Sequence, residues 1–152
     1  MKHLMRYLLI MLILFQSTGA IYGGGLLILD PSGNYLRLPL SLLQYSVFPD
    51  YLFPGLFLFL VLGMMPLLCF YGLIKRPPWK GLRFLNLYKS QHWSWNFSYY
   101  TGILLILWID IEVMIIREVD IIHLIYSVLG VIIIIIAQLP SVKNFYFTGS
   151  EN

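Results

Sequence analysis

This sequence predicts an all-α fold, a polytopic membrane protein built as a four-helix transmembrane bundle, and three observations carry that prediction. The first is composition. The chain has 152 residues, 59% of them hydrophobic and only 11% charged, and its mean hydropathy is +0.80. Soluble domains carry about 25% charged residues. The second is that the windows 7–29, 51–74, 90–109 and 121–142 contain no Lys, Arg, Asp or Glu. Each is close to the ~20 residues that cross ~30 Å of hydrocarbon. The third is the placement of charge. With a cytoplasmic N-terminus, Lys2, Arg6, Lys75, Arg76, Lys80, Arg83, Lys89 and Lys143 fall inside and only Arg37 and Arg117 outside, which follows the positive-inside rule. Asp30, Asp50, Glu118 and Asp120 fall outside. Solid apolar runs also argue against a β-barrel, whose strands alternate weakly over ~10 residues.

The expected architecture is a single transmembrane domain, 1–152, with helices at about 7–29, 51–74, 97–117 and 120–139, an outer capping loop and an inner interfacial amphipathic segment. Both termini are expected to be cytoplasmic. The net charge of +3 is accounted for by topology, so nucleic acid is not an expected partner; membrane lipids are, with a second copy or another membrane protein as further candidates. Cys69 stands alone, which rules out an intramolecular disulfide or a CxxC redox pair.

The first helix begins with Lys2 and Arg6, and Ser17–Ala20 has the small residues of a peptidase site. The apolar run resumes at Ile21, however, so an uncleaved helix is expected. Gly19 and Gly23, like Ala20 and Gly24, stand four apart, a spacing that lets another helix approach closely. Gln16, near mid-membrane, should point into the bundle.

Residues 30–50 form the one sizeable outer loop. Asp30-Pro31-Ser32-Gly33 suits a type I turn, and Ser41–Ser46 has the makings of a helical turn or two. The loop is too apolar to float in water and should cap the bundle. Asp50 reads as a helix N-cap, with Pro54 tolerated in the first turn. Gly23-Gly24-Gly25, Asp30-Pro31-Ser32-Gly33, Leu38-Pro39 and Phe48-Pro49-Asp50-Tyr51-Leu52-Phe53-Pro54-Gly55 together resemble a family of small bacterial four-helix membrane proteins with a GG…DPSG…LP…FxDYxxPG pattern. The resemblance spans about residues 20–60. It implies a multi-pass protein of the bacterial inner membrane and brings no catalytic residues with it.

In the second helix Pro66 should produce a kink, and Gly55, Leu62, Pro66 and Cys69 share an inward face. Between 75 and 96, Trp79, Leu82, Leu85 and Tyr88 recur every third residue with Lys80, Arg83, Asn86 and Lys89 between them. That pattern predicts a segment lying in the interface, with His92, Trp93 and Trp95 in an aromatic belt. The fourth helix carries a polar stripe of His123, Tyr126, Ser127, Gly130, Ala137 and Gln138 opposite a run of isoleucines. Pro140 ends it, leaving 141–152 as a polar tail.

The third helix poses the functional question, because it carries Asp110 and Glu112. An ionisable group at membrane depth marks a candidate site. At ~100° per residue the two acids lie ~200° apart, so they cannot form a carboxylate dyad. In the hairpin with the fourth helix, Glu112 falls near the level of Ile125, Asp110 near Ser127 and His123 near Met114. The two acids lie in the outer third, ~7–10 Å below Arg117. The candidate polar pocket is therefore Asp110, Glu112, His123, Tyr126, Ser127 and Arg117, with Asp30 at a similar level. Two roles are open. The acids are hydrogen-bonded or paired with Arg117 or His123 and fix helix register, or a water-accessible pocket opens outward beneath the 30–50 loop.

No HxxxH or ExxH spacing, phosphate-binding glycine loop or GxSxG motif occurs, so neither a metal nor a cofactor is expected. A non-enzymatic structural, accessory or lipid-interacting role is the leading expectation. A small membrane enzyme or carrier for a lipophilic molecule, using Asp110 or Glu112, is the alternative. Proton-coupled transport fits poorly, since the acids are confined to the outer third with only Gln16 deeper.

Overall fold

The computed structural model of the chain describes residues 2–149; the Lys2 side chain and the last three residues of the expected tail lie outside what is described. Helix α1 runs Lys2–Leu29, α2 Leu52–Phe59, α3 Met65–Lys75, α4 Trp93–Ile116, α5 Ile121–Gln138 and the short α6 Pro140–Lys143. A π-helical turn, Leu60–Met64, joins α2 to α3. Among the described residues, four continuous helical stretches are long and apolar enough to cross a membrane: His3–Leu29, Leu52–Lys75, Trp93–Ile116 and Ile121–Gln138. The chain direction gives the bundle two ends. Residues 30–51 and the 117–120 turn lie at one, the cap end. The segment 76–92 and both described chain ends lie at the other, the terminal end.

Small residues set how closely the helices cross. A Cβ built on Gly24 would lie 2.8 Å from the carbonyl oxygen of Gly55 and 2.6 Å from the backbone nitrogen of Phe59. The α4–α5 crossing is reciprocal. A Cβ on Gly102 would lie 2.8 Å from the Gly130 carbonyl, and one on Gly130 2.9 Å from the Gly102 carbonyl. Backbone against backbone at this range brings many atoms into dispersion contact.

Pro66 was expected to kink the second helix; the deviation is taken up one turn earlier. The Met65 N–H reaches back five residues to the Leu60 carbonyl, the signature of a π turn. Pro66 has no N–H, so the carbonyls of the preceding turn have one donor fewer. Side chains of α1 supply donors there: Ser17 Oγ donates to the Gly63 carbonyl at 2.9 Å, and Gln16 Nε2 to the Leu62 carbonyl at 3.5 Å. Both side chains are almost wholly buried. Gln16 does point into the bundle, and its task there is to serve a carbonyl at the proline turn.

The terminal end differs most from expectation. The threefold repeat of Trp79, Leu82 and Leu85 becomes a 3-10 helix over Lys80–Leu85, whose period of three places those residues in one row. Trp93 and Trp95 are not belt residues. They are 2% and 0% exposed, and each indole N–H finds a backbone carbonyl, Pro77 at 2.9 Å and Ala137 at 2.8 Å. The helix accordingly starts at Trp93, not near 97. Nor is 141–149 a solvated tail. Val142 and Tyr146 are completely buried, Tyr146 Oη donates to the Leu73 carbonyl at 2.8 Å, and Phe147 pairs antiparallel with Gln91. Carbonyls at the ends of α3 and α5 lack helical partners, and these donors occupy them.

Candidate functional site

The cap is built from the turn that opens it. Asp30 accepts hydrogen bonds from the backbone N–H groups of Ser32 (3.2 Å) and Tyr35 (3.0 Å) and from the Ser32 hydroxyl. That hydroxyl, followed by these backbone donors, holds the Asp30 carboxyl below its ordinary value of 3.8. Gly33 sits at φ 81°, a left-handed conformation that favours glycine. Tyr51 then ties the far end of the loop back, its N–H donating to the Pro31 carbonyl at 2.9 Å and its hydroxyl to the Pro39 carbonyl at 3.0 Å. Asp50 was expected at the N-cap of the next helix; that position is held by Tyr51, and Asp50 stands one residue earlier, where its carboxylate accepts from the Leu52 N–H at 2.9 Å. Leu36, Leu38 and Leu43 turn inward and pack with Leu27 and Ile115.

Beneath this cap lies a cavity of about 430 Å³. From α1 it takes Gln16, Gly19, Ala20, Gly23 and Leu27, and from α4 Leu105, Trp108, Ile109, Glu112 and Ile116. Both sets follow the i, i+3, i+4, i+7, i+11 spacing of a single helix face. Helix α5 adds Ile122, His123 and Tyr126, and Leu36, Leu38 and Leu42 of the loop form the roof. Glu118 and Asp120, on the α4–α5 turn, line the cap end. Gln16 lies near the middle of α1, so the cavity reaches deep into the bundle.

Of the seven residues proposed for a polar pocket, Glu112, His123 and Tyr126 are on this wall and Asp30, Asp110, Arg117 and Ser127 are not. The ~200° between the two acids separates them, although both were expected in the pocket. Glu112 faces the cavity and is part-buried, whereas Asp110 is exposed on the outside of α4. Asp110 has no ion pair with Arg117, whose guanidinium lies 3.9 Å from the centre of the Tyr45 ring in the cap. Arg117 ends α4 in the left-handed conformation, φ 59°, and that turn aims its side chain at the loop. Asp30 is consumed by the turn it organises. No hydrogen bond joins either acid to His123, Tyr126 or Ser127 among the described residues, so the register-fixing bonds considered for them are not formed.

His123 is held by its own helix. The Asp120 N–H donates to His123 Nδ1 at 2.9 Å, completing a capping box in which Asp120 serves the first turn of α5. An Nδ1 that accepts leaves the proton on Nε2 in the neutral ring, so the group His123 offers the cavity is a donor. Tyr126 lies against Gly19, where a Cβ would come within 2.9 Å of the phenol oxygen. Trp108 stacks on Phe57 at 4.7 Å between centroids. Gln16 Oε1, buried on the same wall, has no hydrogen-bond partner.

Sequence reasoning did not place Gln16, Trp108, Glu118 or Asp120 in the site. The usable signal was the shared spacing of Gln16–Leu27 and Leu105–Ile116, but a single helix wheel cannot say which two faces meet. Among the described residues no group of three His, Cys, Asp or Glu side chains is arranged to hold a metal ion. Comparison with protein-family models, with curated proteins and with solved structures found no match.

Proposed function

We propose that the chain is an integral membrane protein of non-enzymatic, lipid-interacting role, with both termini on the cytoplasmic side of a bacterial inner membrane, and that it holds a lipophilic molecule beneath the capping loop. The cavity carries this reading. Its walls are leucine, isoleucine, alanine and glycine, with a few polar groups on them, the pattern of a small-molecule site. At ~30 Å³ per heavy atom it accommodates a guest of about 14 heavy atoms. Charge narrows the choice. Glu112, Glu118 and Asp120 line the cavity and, among the described residues, no Lys or Arg does, which disfavours an anionic amphiphile and favours an alcohol or an amine. A donor on such a guest also suits Gln16 Oε1, since turning that amide towards the cavity sacrifices only the 3.5 Å bond to Leu62. A second reading, a small enzyme or carrier acting through Glu112, is favoured by Glu112 and His123 sharing one wall.

Trp108 provides the assay, because Trp79, Trp93 and Trp95 belong to the other end of the bundle. Purified protein in micelles is titrated with bromine-tipped alkyl chains bearing an amine, a hydroxyl or a carboxylate. Saturable quenching by the amine or the alcohol is expected. It should be absent in Trp108→Phe and weakened in Ala20→Phe, which fills the cavity. Failure of all three chains to quench a folded protein overturns the binding reading, and preference for the carboxylate overturns the charge argument alone. Turnover of a bound chain that Glu112→Gln abolishes without loss of binding would establish the second reading.

A further inference from the structure

The terminal end holds cations that no carboxylate among the described residues answers. Arg6 of α1 and Arg76, which ends α3, both stack on one ring, Phe145, at 4.2 Å and 4.8 Å from its centre. Arg6 also lies 4.9 Å from the Tyr7 ring and Arg76 5.8 Å from that of Tyr146. Lys143 approaches Tyr88 and Trp95 at 5.5 Å and 5.7 Å. All the described carboxylates, Asp30, Asp50, Asp110, Glu112, Glu118 and Asp120, belong to the cap half of the bundle. Arg6, Arg76 and Lys143 therefore form no ion pair among the described residues. Aromatic faces orient these cations but cannot neutralise them. A guanidinium stacked on a ring keeps its N–H edge free for a bidentate oxyanion.

The surroundings fit a phosphate carried on an apolar body. A cavity of about 730 Å³ beside this ring is lined by His3, Arg6, Ser141, Asn144 and Phe145, so hydroxyl and amide groups accompany the Arg6 guanidinium, while Arg76 meets the same ring from outside that lining. The neighbouring 3-10 segment exposes Phe84 and Leu87 among Lys80 and Lys89, as a surface at the hydrocarbon boundary does. Arg76 adds a separate indication. It occupies a left-handed helix cap, φ 51°, where glycine is the favoured residue, so what an arginine brings to that position is its side chain. We infer that Arg6 and Arg76, mounted on Phe145, bind the phosphate of an anionic phospholipid headgroup at the terminal end of the bundle.

Native mass spectrometry of the full chain, with phosphatidylglycerol and phosphatidylcholine of the same acyl chains, tests this. The parent should retain phosphatidylglycerol preferentially. Arg6→Gln and Arg76→Gly should each lower that preference by about tenfold, the effect of one charge-assisted hydrogen bond. Glycine suits the left-handed cap, so Arg76→Gly should fold as well as the parent and separate lipid loss from misfolding. Lys80→Gln and Lys89→Gln, which remove exposed charge from the same end, should leave the preference intact. Unchanged preference in both arginine variants, or equal losses in the lysine variants, would overturn the site. Displacement of the lipid by inorganic phosphate alone would overturn its assignment to a lipid headgroup.

Discussion

Replacing Gly130 by alanine tests whether backbone-on-backbone packing holds the α4–α5 hairpin and, with it, the cavity wall. The new Cβ would meet Ile106 Cγ1 at 2.8 Å and the Gly102 carbonyl oxygen at 2.9 Å, against ordinary separations of about 3.5–4.0 Å. Ile106 can turn aside; the carbonyl belongs to a helix and cannot. The helices must part by something on the order of 0.5–1 Å, which forfeits about a quarter to a half of each dispersion contact along the crossing. Overpacking of this kind costs about 1–3 kcal/mol. Alanine returns up to ~1 kcal/mol of helix propensity, so the middle of that range leaves a net loss of about 1 kcal/mol. Gly102→Ala meets the same crossing from the other side, with the Gly130 carbonyl at 2.8 Å. The second alanine enters a pair that has already separated, so the double variant should lose less than the sum of the singles. Gly81→Ala, with nothing within 4 Å of its Cβ, should stay within about 0.5 kcal/mol of the parent. Reversible unfolding in mixed micelles, followed by circular dichroism, measures all four proteins. If Gly130→Ala matches or exceeds the parent in stability, the close crossing does not carry the hairpin and the reasoning fails.

The donors at the proline turn should register on their own. Ser17→Ala leaves the Gly63 carbonyl without its 2.9 Å partner and should cost about 1 kcal/mol in the same unfolding assay, and an unaffected variant would show that carbonyl to be satisfied elsewhere. Stability should also depend on pH through His92. Burial, opposed by its bond to the Pro77 carbonyl and reinforced by the nearby Arg76 charge, holds its pKa below 6.5 in the folded chain. The unfolded chain then binds the extra proton, so this contribution is complete above pH 6.5 and is lost as pH falls from there through the folded value. His92→Gln should flatten that part of the profile; an unchanged slope would assign it to another group.

The helix count, the apolar stretches and the composition of the turns were readable because each rests on one segment at a time. A predominantly apolar helix of 24 residues is long enough to cross a membrane wherever its neighbours lie. Asp30-Pro31-Ser32-Gly33 closes a turn through bonds within five residues. The wide angle between Asp110 and Glu112 follows from helix geometry alone, so the sequence by itself determined that they form no carboxylate dyad, although it left both as candidates for a pocket with His123. Tertiary structure decided which one, because the orientation of α4 is set by the meeting of Gly102 and Gly130 and by the face it turns to Gln16–Leu27. It also decided that Gln16 serves a carbonyl near Pro66, that Trp93 and Trp95 are plugs and not a belt, and that Tyr146 docks on Leu73 across 73 residues of chain. The periodicity of one segment reports which of its faces is apolar; what that face touches depends on the packing of the others.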